Sequence, residues 1–355
     1  MSTLKLDKLR QLLKKDQLDA LLITSSVNRQ YMTGFTGTAG AAIITHDAAL
    51  FLTDFRYTEQ ATAQAKGYTV IEHKRAMEEE INQQLEALGI KQLGFEKDHV
   101  TYAQYERYNT MLSAQLKPTT GLVEQLRVIK TDEELAIMQE AANIADAAFE
   151  HIKGFIKAGV KEIDVSNELE FFMRKQGATS SSFDIIVASG ERSALPHGVA
   201  SEKVIQSGEL VTLDFGAYYK GYCSDITRTV AVGDVSEQLR NIYDIVLEAQ
   251  LRGVNGLQPG MTGKEADALT RDYITEQGYG DYFGHSTGHG LGMEVHEAPG
   301  LSFKTERKLE SGMVVTVEPG IYVPGVGGCR IEDDVVITET GCVKLSTSSK
   351  AFTQL

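Results

Sequence analysis

The chain has 355 residues, of which 42% are hydrophobic and 24% charged, which is enough for two globular domains with a substantial core. Its formal net charge of −14 disfavours nucleic acids and anionic membranes as partners, because both would be repelled. It shows no apolar stretch typical of a signal peptide or membrane span, and its three cysteines are too few for a disulfide framework, so we expect a cytoplasmic protein.

Residues 1–121 are predicted to form an α/β domain. Short apolar runs at 21–23, 41–44 and 49–52 alternate with helical patterns, as strands and helices do in such domains. Gly34, Gly37 and Gly40 are spaced three apart, which is unlike a phosphate-binding loop and favours turns or close packing. A polar segment at 117–121 then predicts a boundary, with a second domain at 122–355.

The second domain is predicted to consist of two related halves. Thr131 and Glu134 form a capping-box pattern that begins its first helix. In each half, a helical pattern enclosed by glycines, at 159–177 and at 260–278, follows an earlier helix and precedes a His-Gly pair and a β-hairpin. Two such halves would create a cleft between them.

The first hairpin is expected to place two carboxylates on one face. With a turn at 220–221, Asp214 lies opposite Thr227, and Asp225 follows two residues along on the same side.

The second hairpin repeats this arrangement. With a loop at 324–328, Glu318 is expected opposite Asp334, and Glu332 again lies two residues along on the same face. Both hairpins therefore present a diagonal pair of carboxylates.

Acidic residues inside apolar strands need a counter-charge, because burying a carboxylate without one costs several kcal/mol. Arg228 and Arg330 could supply it through salt bridges, but two divalent ions would neutralise four carboxylates directly. Nearby histidines favour the metal interpretation. The glycines of segment 284–292 argue against a helix carrying His285 and His289, and favour an irregular strand or loop close to a ligand.

Carboxylates with one imidazole and no thiolate suit Mn²⁺, with Fe²⁺, Co²⁺ or Zn²⁺ as competitors. Two such ions can activate water, polarise a carbonyl and stabilise an oxyanion, so the pattern indicates a hydrolase.

These residues resemble the pita-bread metallopeptidases, the family of Xaa-Pro dipeptidases (prolidases), aminopeptidase P and methionine aminopeptidase. The resembling segments are 195–198, 212–216, 224–229, 285–292, 295–297, 317–322 and 330–333. Segments 31–37 and 52–57 resemble the creatinase and prolidase N-terminal domain. The resemblance implies an α/β N-terminal domain followed by an α+β pita-bread catalytic domain, with a curved, mainly antiparallel sheet and pseudo-twofold halves.

The resemblance also assigns roles to individual residues. It implies that two divalent metal ions are held by Asp214, Asp225, His289, Glu318 and Glu332.

Other residues would act on the substrate. Glu318 would take the proton from the attacking water, His296 would contact the substrate carbonyl region, and His197 and His285 would line the substrate site. Arg330 matches proline-specific members, and with His285 it is a candidate for recognising a dipeptide carboxylate.

The implied reaction is hydrolysis of the peptide bond preceding proline in Xaa-Pro dipeptides. Aminopeptidase P, which releases the N-terminal residue from longer Xaa-Pro peptides, is the enzymatic alternative. A non-catalytic peptide-binding module on the same fold is an alternative of another class. The family further implies a homodimer, in which the N-terminal domain helps to close the partner's site.

Overall fold

The structure is a computed structural model that describes residues 2–355, so Met1 of the predicted N-terminal domain lies outside the described residues. The chain divides into one compact unit that ends at Arg127 and a second that spans Val128–Leu355. The predicted boundary at 121 falls before this division, because the short helix Glu124–Arg127 belongs to the first unit. Among the described residues, no helix combines the length and apolar character that crossing a membrane requires.

The first unit is an α/β domain, as predicted. Its sheet has the order β4-β3-β2-β1-β5-β6, with β2 antiparallel to both its neighbours and the remaining pairs parallel. The three apolar runs form the buried central strands. The helices are α1 (Ser2–Lys15), α2 (Ser26–Thr33), α3 (Thr58–Gln64), α4 (Met77–Ala87), α5 (Tyr102–Met111) and α6 (Glu124–Arg127). The strands are β1 (Ala20–Ile23), β2 (Ala41–Thr45), β3 (Ala49–Thr53), β4 (Thr69–Glu72), β5 (Gln92–Glu96) and β6 (Gln115–Thr119).

The second unit combines helices with antiparallel strand pairs. Its helices are α7 (Asp132–Ile152), α8 (Glu162–Lys175), α9 (Glu237–Gly256) and α10 (Gly263–Glu276), with 3₁₀ turns at Gly190–Ala194 and Gly280–Tyr282. Its strands are β7 (Ser180–Ser181), β8 (Ile186–Ser189), β9 (Glu209–Phe215), β10 (Ala217–Tyr219), β11 (Tyr222–Cys223), β12 (Ile226–Val232), β13 (Gly288–Gly290), β14 (Glu297–Leu301), β15 (Val314–Val317), β16 (Gly320–Val323), β17 (Gly327–Arg330), β18 (Asp333–Ile337) and β19 (Cys342–Lys344).

The two predicted halves are visible in the strand order and in the helix starts. The order β12-β9-β8 in the first half is repeated as β18-β15-β13 in the second. The amide of Gly159 donates to Ile205 O at 2.9 Å, and the amide of Gly260 donates to Leu309 O at 2.8 Å. The segments that lead into α8 and α10 are therefore anchored in the same way. Thr131 caps α7 through the predicted capping box.

The first hairpin has the predicted register. Thr227 pairs with Asp214, and Tyr219 pairs with Tyr222 around the two-residue turn. Lys220 has φ 48° and Gly221 has φ 88°, the left-handed conformations that a tight hairpin turn of this kind requires. Asp225 itself lies between β11 and β12, outside either strand.

The second hairpin differs from its prediction, which was wrong by two residues. Asp334 pairs with Thr316 rather than with Glu318, because the turn is tighter and Val323 pairs with Gly327. A shift by an even number of residues keeps every side chain on its expected face. The carboxylate of Glu318 therefore still faces the same side as that of Glu332.

Candidate active site

One cavity of the second unit, with a volume of about 570 Å³, brings together every residue that the sequence predicted as a metal ligand, catalytic residue or substrate-binding residue. Asp214 lies in β9 and Asp225 directly precedes β12. Glu318 directly follows β15, and Glu332 lies between β17 and β18. The predicted site residues that line it are His197, Asp214, Asp225, His285, His289, His296, Glu318, Arg330 and Glu332. Their assigned roles stay predictions, since proximity alone does not test them.

Asp214 is held by an arginine. Arg330 donates from Nη2 to Asp214 Oδ2 at 2.5 Å and from Nε to Thr227 Oγ1 at 3.1 Å. Its side chain is only 3% exposed, so this ion pair lies in a region of low dielectric. Arg228, the other proposed counter-charge, pairs instead with Asp333 at 2.8 Å. One guanidinium therefore faces four carboxylates.

Three carboxylate oxygens at this site lack a hydrogen bond within the described part of the chain. They are Oδ1 of Asp214, Oδ1 of Asp225 and Oε1 of Glu332, and all three are buried. A buried acceptor without a partner costs about 1–3 kcal/mol, and more when it is charged. Such oxygens are where a bound cation would be expected.

His289 presents one ring nitrogen to the carboxylates. Its Nδ1 lies 3.1 Å from Gly290 O, which fixes Nδ1 as the N–H donor and leaves Nε2 with a free lone pair. Nε2 is 3.3 Å from Glu318 Oε1 and 3.7 Å from Asp225 Oδ2. Two ligands at about 2.1 Å from one ion are separated by roughly 3 Å, so these spacings suit a shared metal.

Burial raises the pKa of three carboxylates at this site. Burial, followed by the charges of Glu332 and Asp214, raises the pKa of Asp225 well above its usual value. Burial, followed by the charges of Glu318 and Asp214, raises the pKa of Glu332 in the same direction. Burial, with a further contribution from Asp214, raises the pKa of Glu318 to about 8. The site therefore favours added positive charge, whether protons or metal ions.

The donor set fits divalent metal. Asp225, His289 and Glu332 each offer an atom within 4.8 Å of the others, and Asp214 and Glu318 lie at the same wall of the cavity. Burial, followed by the charge of His296, lowers the pKa of His289 to about 4, so its imidazole is neutral as a metal ligand must be.

His285 is held in one tautomer by a chain of hydrogen bonds. Arg330 Nη1 donates to Tyr322 OH at 2.7 Å, so Tyr322 directs its own proton to His285 Nε2, also at 2.7 Å. His285 Nδ1 then donates to Ser286 O at 2.8 Å. Burial and the charge of Arg330 lower the pKa of His285 to about 4. Both nitrogens are thus engaged, and His285 could bind a carboxylate only by exchanging a partner.

Three supporting residues escaped sequence reasoning. Thr227 donates to Glu332 Oε2 at 2.6 Å while accepting from Arg330. Thr316 Oγ1 lies 3.3 Å from Glu318 Oε1 and donates to it. Both threonines share strand parity with a predicted ligand, which is a signal that could have identified them.

The third supporting residue is Asp334. Its Oδ2 accepts the Asp225 amide at 2.8 Å and so holds the loop that carries Asp225. This contact joins the two hairpins, so the pattern of neither hairpin alone could predict it.

The rest of the cavity wall is largely apolar. It comprises Phe183, Ile186, Pro196, Val199 and Val295 beside the polar group. His296 lies next to His289, with 4.2 Å between the ring centroids, and His197 is exposed at the rim. Apolar surface in the same cavity as the metal-binding residues suits a small substrate with an apolar side chain.

Comparison with known protein families identifies both units. Residues 136–339 match metallopeptidase family M24, and residues 5–129 match the creatinase/prolidase N-terminal domain.

Similar proteins include Xaa-Pro dipeptidases and an X-Pro aminopeptidase. An Xaa-Pro dipeptidase of Pyrococcus furiosus is 42% identical over 350 residues, which cover 98% of this chain and 98% of that protein. The structure of an Xaa-Pro dipeptidase from Bacillus anthracis is 61% identical, with a TM-score of 0.99 and coverage of 100% of both chains. The structure of an X-Pro aminopeptidase from Thermotoga maritima is 39% identical, with a TM-score of 0.91 and coverage of 96% of this chain and 98% of that chain.

Proposed function

The chain belongs to metallopeptidase family M24, and on that basis we propose that it hydrolyses the peptide bond preceding proline, with Xaa-Pro dipeptides as substrates. The observation that carries this proposal is the convergence of four carboxylates, three of them buried and that of Glu318 partly buried, and a neutral imidazole on one cavity. Three buried carboxylate oxygens have no partner among the described residues, and bound metal ions would offset the cost of leaving them without one.

We assign the metal ligands to Asp214, Asp225, His289, Glu318 and Glu332. When bound, two divalent ions would neutralise these carboxylates, lower the pKa of a water molecule and polarise the scissile carbonyl. Four of the five proposed ligands are carboxylates, which supports Mn²⁺ as the bound metal, with Co²⁺, Zn²⁺ and Fe²⁺ as alternatives.

The chain's own groups then carry the proton and position the substrate. Glu318 accepts the proton of the attacking water, and Thr316 steers its carboxylate by the 3.3 Å contact. His296 contacts the substrate carbonyl region from the cavity side and stabilises the charge that develops there. His197 at the rim and His285 inside the cavity border the substrate.

Proline after the scissile bond fits the apolar wall. Its ring fixes φ near −65° and removes the amide hydrogen, so a site shaped for it gains orientation and needs no acceptor for that amide. Phe183, Ile186 and Val199 supply apolar surface for such a substrate.

A specific observation supports aminopeptidase P as the second candidate. Both nitrogens of His285 are engaged, and Arg330 already donates to Asp214, Thr227 and Tyr322. Recognition of a dipeptide carboxylate would therefore depend on the remaining N–H groups of Arg330 or on release of His285. The Thermotoga maritima relative also carries the aminopeptidase name.

Three peptides separate these candidates. Ala-Pro, Ala-Ala and Ala-Pro-Ala are compared for kcat/KM with protein loaded with the same amount of Mn²⁺. We expect Ala-Pro to be cleaved fastest. Cleavage of Ala-Ala as fast as Ala-Pro would exclude proline selectivity, and a clear preference for Ala-Pro-Ala would establish aminopeptidase P activity. Stable binding without turnover of any peptide would indicate a non-catalytic binding module.

We also propose a cytoplasmic homodimer. The net charge of −14 and the three free cysteines support the location, and the family resemblance supports the dimer. Sedimentation of the purified protein measures the oligomeric state.

A further inference from the structure

We propose that Lys130 is a positioning residue for His296, and that it acts through the carboxylate of Glu297. The inference rests on the proposed function, because it concerns how the substrate-contacting histidine is held. Lys130 precedes helix α7 and lies outside the cavity wall, so it takes no part in the chemistry described above.

The loop that carries His296 connects two strands, β13 and β14, whose pairing is irregular. In the pairing of β13 with β14, Gly288 pairs with Leu301 and Gly290 with Glu297, with a shift of register between these two pairs. The first part of the connection 291–296 is held by backbone bonds from Leu291 N to Val314 O at 3.1 Å and from Cys223 N to Gly292 O at 2.8 Å. Towards His296, the bond from Gly292 N to Glu294 O at 3.1 Å is the last one within the described part of this loop. A loop held in this way needs side-chain contacts to keep one conformation.

The pair formed by Lys130 and Glu297 supplies such a contact. Lys130 Nζ lies 2.8 Å from Glu297 Oε1, and the two side chains are only 2% and 9% exposed. Lys130 is itself anchored, because its amide donates to Gly312 O at 2.9 Å. The carboxylate lies directly against the loop, since a Cβ placed on Gly292 would be 2.2 Å from Glu297 Oε1.

The position of Glu297 next to His296 in the chain connects this ion pair to the cavity. Glu297 is the first residue of β14 and His296 directly precedes it, so the contact that fixes the Glu297 side chain also fixes the backbone from which the His296 side chain extends. His296 does line the cavity, with its ring centroid 4.2 Å from that of His289, although it is exposed and not enclosed by other side chains. Its position therefore depends on its neighbour.

A double substitution of Lys130 and Glu297 distinguishes a positioning role from a purely structural one. Replacing a buried ion pair by two apolar side chains of similar size is often neutral for stability, whereas removing one partner leaves a buried charge. The double variant Lys130→Met, Glu297→Met therefore removes the polar contact while keeping the protein folded. A pair with only a structural role would leave catalysis unchanged in that variant.

The experiment measures kcat and KM for Ala-Pro, the unfolding temperature and the affinity for Mn²⁺ by calorimetry. We expect the double variant to keep its unfolding temperature and Mn²⁺ affinity, because neither residue is among the proposed metal ligands, and to lose kcat by roughly 10- to 100-fold through misplacement of His296. The same double change is made in a His296→Ala background. There we expect no further loss of kcat, since a residue acting through His296 has nothing left to position.

Two further variants complete the design. Lys203→Met with Glu209→Met removes another lysine–glutamate pair, 2.7 Å apart with side chains 26% and 18% exposed, in the other half of the unit, and we expect its kcat to stay within about twofold of wild type. Glu297→Asp keeps the charge but shortens the side chain by one methylene. It should lower kcat even if the double variant does not fold.

Full kcat in the folded double variant or in Glu297→Asp would overturn the inference, as would an equal loss of kcat with and without His296. A wild-type protein that binds Mn²⁺ yet cleaves no Xaa-Pro peptide would instead refute the proposed function, and the inference with it.

Discussion

The metal-free protein should lose stability as the pH rises, and Glu318 should account for much of this loss. Burial and the charge of Asp214 raise its pKa from an ordinary 4.5 to about 8. A group whose folded-state pKa is raised stabilises the fold fully below its unfolded pKa, and this contribution is lost as the pH rises through the folded value. Between pH 5 and pH 8, Glu318 alone should reduce the free energy of unfolding by about 3–4 kcal/mol. The raised pKa values of Asp225 and Glu332 act in the same direction.

The assay is urea unfolding of chelated, metal-free protein at several pH values between 5 and 8. The metal-free Glu318→Gln variant carries no ionisable group at this position, so it should lose less stability over this range and be more stable than wild type at pH 8. Glu248→Gln, which changes a glutamate with a 46% exposed side chain, is the matched control and should leave the pH dependence unchanged. A metal-free wild type with constant stability from pH 5 to pH 8, or a Glu318→Gln variant with the same pH dependence, would refute the reasoning.

Three further substitutions test the site. Metal-loaded Glu318→Gln should lose kcat by about 10²–10⁴-fold through loss of the proton acceptor, and near wild-type kcat with both metals bound would remove that role. Thr227→Val removes the 2.6 Å hydrogen bond to Glu332, so Mn²⁺ affinity measured by calorimetry should fall by roughly 10- to 100-fold, and unchanged affinity would contradict the support assigned to Thr227. Arg330→Lys keeps the charge but loses the fork that reaches Asp214, Thr227 and Tyr322. Its kcat/KM for Ala-Pro should fall by about tenfold or more, and a value equal to wild type would show that charge alone suffices.

The alternation of side chains along a strand explains why the sequence predicted so much of the site. The predicted pairing of Asp214 with Thr227 is confirmed, because the left-handed turn at Lys220 and Gly221 leaves one register available. In the second hairpin the loop length was wrong by two residues, yet its carboxylates kept their face, since strand parity repeats every two residues. An error of two residues in the loop length therefore changes which residues pair but not which face their side chains occupy.

Contacts between distant segments could not be predicted in this way. The hydrogen bond from Asp225 N to Asp334 joins the two hairpins, and the pair of Lys130 and Glu297 joins residues far apart in the chain. Local patterns contain no information on which segments meet, so these partners became visible only in the folded chain. The division after Arg127 has the same origin, because packing of the short helix α6 decides to which unit it belongs.

Turnover of Ala-Pro as a function of bound Mn²⁺ tests whether hydrolysis depends on two bound metal ions. Protein stripped by chelation and checked by elemental analysis is titrated with Mn²⁺, and kcat is measured at each ratio of metal to chain. Because one guanidinium faces four carboxylates, the account predicts no turnover without metal and a plateau when two ions are bound per chain. Full hydrolysis of Ala-Pro by verified metal-free protein would contradict it.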